Sequence, residues 1–71
     1  MTKTKQHIAE VLKRAIKGEE DGFFFYDLAA KKATNQTAQR KLESLRDDEI
    51  RHKETLRALY EKHVGGEIGE L

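Results

Sequence analysis

One short break separates two long helix-forming stretches, and it decides what the chain can become. In KKATNQTAQ (Lys31–Gln39), Thr34 and Thr37 suit a tight connection and Asn35 is a good helix N-cap. On either side helix formers dominate, and no run alternates apolar and polar residues long enough to signal a strand. The chain therefore reads as all-α, with helix 1 over about 5–33 and helix 2 over about 36–63. Gly65 and Gly66 end the second helix, because glycine is the usual residue just past a helix C-terminus. Residues 64–71 are expected to form a flexible tail. Two long helices joined by so short a connection fold back as an antiparallel hairpin.

Such a hairpin is hard to stabilise alone. Its 71 residues make one domain, 1–71, and contain no cysteine to staple it. A domain this small buries a low share of its surface, so it needs an idealised core, a metal or a partner. The lack of cysteine also excludes thiolate metal sites and thiol redox chemistry. MTKTKQ lacks the apolar core of a signal peptide, and no stretch approaches membrane-spanning length. A cytoplasmic protein with no membrane partner is expected. The net charge is +1, and the signs are interspersed: Lys13, Arg14 and Lys17 precede Glu19, Glu20 and Asp21, and Arg46 precedes Asp47 and Asp48. A nucleic-acid binder gathers its basic residues on one face. No nucleic-acid partner is expected here.

The apolar seams carry the next constraint. Helix 1 presents Ile8, Leu12, Ala15, Glu19, Gly22, Tyr26, Ala29 or Ala30, and Ala33. Helix 2 presents Ala38, Leu42, Leu45, Glu49, His52, Leu56, Leu59 and His63. Both advance in steps of four and three, the spacing of one buried stripe. A second apolar set on helix 1 (Val11, Phe24, Phe25 and Leu28) is more than one partner helix can cover. The hairpin is therefore expected to self-associate, most simply as two copies forming a four-helix bundle, as a homodimer or part of a higher oligomer.

Glu19, Glu49 and His52 stand where the seams call for leucine. Glu19 lies 16 residues before Asn35, and Glu49 and His52 lie 14 and 17 after it. An antiparallel pairing sets all three at one level, and the i, i+3 step puts Glu49 and His52 on one helix face. An unpaired buried carboxylate costs on the order of several kcal/mol. Two copies would bring four carboxylates and two imidazoles into one layer, with no lysine or arginine in the seam. Two divalent cations cancel that charge, and these donors suit iron or manganese. Di-iron bundles use this set: one Glu from each of two helices and a Glu-x-x-His from each of two others.

AIKGEEDGFFFYDLA (Ala15–Ala29) followed by LESLRDDEIRHKETL (Leu42–Leu56) resembles one half of a rubrerythrin, within the ferritin-like superfamily. In that family a ligand Glu is followed seven residues later by Tyr, and the next helix carries Glu-x-x-His. The matching positions are Glu19, Tyr26, Glu49 and His52, and the resemblance spans about Ala9–Tyr60. Glu20 is six residues before Tyr26 and falls off the seam, so Glu19 is the better ligand. The resemblance implies a half-length ferritin-like domain whose two-iron site is completed by dimerisation. It implies ferroxidase-like or peroxide- and oxygen-reducing oxidoreductase chemistry. Glu19, Glu49 and His52 would be metal ligands, and Tyr26 would orient one of them through its hydroxyl or simply pack as an aromatic. Glu20 and Glu43 are the candidates for the extra carboxylate of rubrerythrin sites. Rubrerythrins usually carry a four-cysteine rubredoxin module; this chain has no cysteine, so electrons would come from a separate donor. Iron storage by this chain alone is not expected.

Two readings compete. One is a helical-hairpin dimer whose polar layer only fixes register, as buried polar residues do in some coiled coils. The other is a manganese or zinc site without redox chemistry. His63 reads as a helix-end residue and His7 as surface. Gly18 and Gly22, each costing a helix up to about 1 kcal/mol, admit either close packing around the site or a flexible helix.

Overall fold

The computed structural model describes Thr2–Gly66, with side chains from Thr4 onward. Two helices, α1 (Thr2–Lys32) and α2 (Gln36–His63), pack side by side as an antiparallel hairpin measuring 51 × 16 × 14 Å. The all-α expectation holds. α1 begins three residues earlier than the sequence suggests.

The connection is built by capping. At the end of α1 the Ala33 N–H donates to the Ala30 carbonyl at 3.2 Å, tightening the last turn, and Lys31 and Lys32 face the negative end of the helix dipole. Asn35 is extended (φ −105°, ψ 127°), and its side-chain oxygen accepts from the Ala38 N–H at 2.9 Å. That is the N-cap its residue type promised. At the far end the N–H groups of Val64 and Gly65 both donate to the Tyr60 carbonyl, at 2.8 and 3.3 Å. Gly65 and Gly66 then take φ values of +96° and +69°, a region that costs a side-chain-bearing residue energy. Val64 packs against the core, so it belongs to the hairpin and not to the expected tail. Residues 67–71 of that tail lie outside the described residues.

The core is small. Ile16, Ala30 and Tyr60 are buried, and Ala9, Leu12, Leu56 and Val64 gather around Ile16 and Tyr60 at the end away from the connection. Neither Ile16 nor Tyr60 belongs to the seams read from sequence. The seam through Leu12 and Leu56 continues one residue further round, to Ile16 and Tyr60, while Leu59 stays 38% exposed. A 3.6-residue turn drifts against a strict four-and-three pattern, and a two-helix contact selects one edge of the broader stripe.

The second apolar set on helix 1 proves not to be one stripe. Val11, Phe24, Phe25 and Leu28 all remain at least half exposed. Phe25 follows Gly22 by three residues and lies on its side of the helix. Phe24 lines a groove on the other side, and Leu28, nine residues from Glu19, points away from α2. Two ion pairs stitch the helices together: Asp27 with Arg46 at 3.0 Å and Glu20 with Lys53 at 2.5 Å. Asp27 also pairs with Lys31 at 2.9 Å, and these bonds, that of Lys31 first, hold its carboxyl below the usual aspartate range. Among the described residues no helix is long and apolar enough to cross a membrane.

Candidate metal centre

Glu19, Glu49 and His52 meet in the middle third of the hairpin. One ligand atom from each lies within 4.8 Å of the others. His52 Nδ1 stands 3.2 Å from Glu19 Oε1 and 3.4 Å from Glu49 Oε1, so one imidazole nitrogen faces both carboxylates. The register set by the Asn35 cap brings α1 residue 19 level with α2 residues 49 and 52. The i, i+3 step then turns both α2 side chains toward α1.

The carboxylates are mostly shielded, with side chains 26% exposed at Glu19 and 16% at Glu49, while the His52 side chain is 59% exposed. The site therefore opens toward the side from which His52 reaches in. Two carboxylates this close repel, and a proton between them relieves the strain. Glu49 is accordingly pushed above the usual glutamate range, first by its hydrogen bond with Glu19, then by burial and by the charge of Glu19, with His52 pulling the other way. His52 is raised as well, mainly by Glu19 and then by Glu49, against the opposing effect of burial.

Gly22 supplies the space. A Cβ built on it would run into Glu49 Oε2 and lie 3.0 Å from Glu49 Cδ. The carboxylate of Glu49 thus occupies the volume that any other residue at 22 would fill. Gly18 has nothing within 4 Å of the equivalent position, so the two glycines serve different ends.

The remaining candidates are placed as follows. Tyr26 is half-buried on the seam, its ring edge-to-face with Phe25 at 5.3 Å, and among the described residues its hydroxyl makes no hydrogen bond to Glu19 or Glu49. Glu20 is engaged by Lys53, away from the three-residue group. Glu43 also lies outside that group, and His7 and His63 are exposed. Gly22 is the residue whose contribution spacing alone left open. Its signal was a helix-weakening residue one turn from Glu19 in the seam.

This geometry coincides with a family match. The rubrerythrin family model matches residues 10–70, which takes in all of α2 and α1 from its third turn onward. The chain belongs to the rubrerythrin family. No curated protein and no solved structure gives a significant match. A rubrerythrin-family hairpin with a Glu, Glu, His group supports metal binding. The residues present fit that role: the donors are carboxylate and imidazole, they converge, and Gly22 keeps a cradle open for them.

Proposed function

We propose that two copies of this hairpin share a two-iron centre held by Glu19, Glu49 and His52 of each, and that it performs ferroxidase- or peroxidase-type oxidoreductase chemistry. The observation that carries this reading is the convergence of three ligand-type side chains over a glycine whose missing Cβ makes room for one of them. One chain supplies two carboxylates and one imidazole; a two-fold partner doubles that to the donor set of di-iron bundles. Bound there, an iron pair would supply two electrons to dioxygen or hydrogen peroxide. Manganese or zinc would satisfy the same donors.

The rest of the work falls to this chain's own residues. Glu19 and Glu49 would neutralise the cations, and His52, its Nδ1 3.2 Å from Glu19 Oε1, would add an imidazole donor. Gly22 fixes where Glu49 can sit. Tyr26, one heptad beyond Glu19, packs edge-to-face on Phe25 beside the site, and its hydroxyl would reach a ligand carboxylate only by moving when metal binds. The partner packs on the side where His52 opens, which also carries Val11, Phe25 and Leu59, all exposed in the single hairpin. Leu59 is seven residues beyond His52, and Phe25 three beyond Gly22, so each shares the face of its neighbour. Covering these side chains removes water from the site. Its re-reduction would fall to an electron donor outside this hairpin.

The test is native mass spectrometry of metal-stripped protein titrated anaerobically with ferrous iron. Saturation at two irons per pair of chains, with the pair strengthened by metal and a ferric absorption band on adding air, is expected. A dimer that takes up no iron would leave Glu19, Glu49 and His52 as a polar register layer.

A further inference from the structure

Glu19 and Glu49 can be approached from two sides. One is the side of His52, which the proposed partner covers. The other is a groove of about 580 Å³ between α1 and α2, lined by both carboxylates and walled by Phe23, Phe24 and Ile50, with no part taken by His52. Phe24 lies five residues past Glu19, about 140° around α1, and Ile50 about 100° around α2 from Glu49. In an antiparallel pair those rotations lead to one common side, away from His52. The groove is therefore the part of the candidate metal centre that stays open when two hairpins pair through their His52 faces.

Its size and chemistry restrict what it can admit. A water molecule takes up about 30 Å³ of liquid, and hydrogen peroxide, with one more oxygen, needs little beyond that. The groove is far larger, within the roughly 300–1,000 Å³ of small-molecule sites, which pair mostly apolar walls with a few polar groups. Its apolar wall starts at the carboxylates: Ile50 adjoins Glu49, and Phe24 stands about 7.5 Å further along α1 than Glu19. Phe23 and Phe24 meet edge-to-face at 5.5 Å, and Phe24 is 69% and Ile50 45% exposed, so both keep apolar surface to be covered. Lys53, Glu54 and Arg57 line the groove in the other direction. With Glu20 they balance in sign, and Lys53 is closed onto Glu20 at 2.5 Å. A rim of one sign would select an ion; this rim suits a neutral molecule.

We infer that this groove is the substrate pocket of the proposed two-iron centre and takes a neutral organic hydroperoxide. The hydrocarbon part lies against Phe23, Phe24 and Ile50, and the peroxide group at Glu19 and Glu49. The substrate class is new; the site is that of the two-iron reading, on which this assignment rests. Reduction of such a molecule breaks its O–O bond: two electrons and two protons enter, and an alcohol and water leave. The electrons are those of the ferrous pair already proposed, replaced by the outside donor, and the protons come from solvent. The alcohol keeps the hydrocarbon part, so it binds the same wall without any metal.

The experiment uses the full chain and cumyl alcohol, the product left when cumene hydroperoxide is reduced. Metal-free wild type, Phe24→Ala, Ile50→Ala and Leu28→Ala are titrated with it by calorimetry, with circular dichroism as the check on folding. Saturable binding to wild type is expected, weakened about ten-fold or more by Phe24→Ala. Leu28→Ala, an exposed apolar change outside the walls, should bind as wild type does. Iron-loaded wild type should consume cumene hydroperoxide and form one alcohol per peroxide, and Phe24→Ala should raise the KM by a similar factor. Absence of saturable binding would overturn the inference, as would equal losses in Phe24→Ala and Leu28→Ala. So would an iron-loaded protein that consumes hydrogen peroxide but not cumene hydroperoxide. If the alcohol binds as expected yet no iron is taken up, the groove stands as an apolar ligand site and the two-iron reading fails. Should Phe24→Ala lose its helicity, Ile50→Ala, on the other helix, decides.

Discussion

Ile16 and Glu19 are three residues apart on α1, and the layers they anchor are opposites. Around Ile16 the helices meet through Tyr60, Leu12 and Leu56, and the contact satisfies itself. Around Glu19 they meet through Glu49 and His52, where two crowded carboxylates push Glu49 above the usual glutamate range. The first layer makes a hairpin; the second gathers polar side chains in its middle. A chain with so little buried apolar surface could have used leucine at 49. Its sequence gives up stability in one layer for a donor set.

The predictions separate these layers. Ile16→Ala removes the most completely buried side chain and should cost about 2–5 kcal/mol, enough to unfold much of the metal-free protein in a thermal melt followed by circular dichroism. Glu49→Leu should do the reverse. The metal-free protein gains stability on the order of 1 kcal/mol or more, because a carboxylate leaves a crowded polar layer, while iron binding is lost in the anaerobic titration. If Glu49→Leu destabilises instead, the polar layer is a structural element in its own right.

The glycines give a finer contrast. Gly22→Ala drives a methyl group into the carboxylate of Glu49, so metal affinity should fall by about ten-fold or more, as for other outer contacts of metal ligands. Gly18→Ala meets open space and should stabilise the helix by up to about 1 kcal/mol with iron affinity unchanged. Equal responses at 18 and 22 would remove the glycine from the account of the site.

The smallest effect concerns acid. Asp27 is held below the usual aspartate value by Lys31 and Arg46, so the folded state binds its proton less readily than the unfolded chain does. Its contribution is complete above the ordinary aspartate pKa of about 3.9 and is lost as pH falls through the lower folded value. Asp27→Asn should therefore flatten the acid side of a plot of Tm against pH, leaving iron binding intact. A wild-type slope retained in the variant would place the acid sensitivity elsewhere.

Much of this was legible in the residues. Asn35 announced the connection, and counting outward from it set Glu19 level with Glu49 and His52, because an antiparallel pair with a capped turn has little freedom of register. Ile16 and Tyr60 were not read, since each sits one residue beyond a plausible seam position and only the packing shows which edge of the stripe is used. The apolar set Val11, Phe24, Phe25 and Leu28 looked continuous in the linear chain but divides around α1. The Asp27–Arg46 and Glu20–Lys53 pairs were also hidden, because many charges of both signs offer many equivalent partners. What Gly22 is for could be learned only from the position of Glu49 above it.

The half-exposed His52 carries one last consequence. If every chain holds half a site, loading is a matter of mass action: at low abundance the number of complete sites falls with the square of the amount of chain. A tenfold change in synthesis would then act as a switch on the chemistry, with no dedicated regulator. Each substitution in the gene would also strike both halves at once, so the two metal positions could not drift apart into separate specialities.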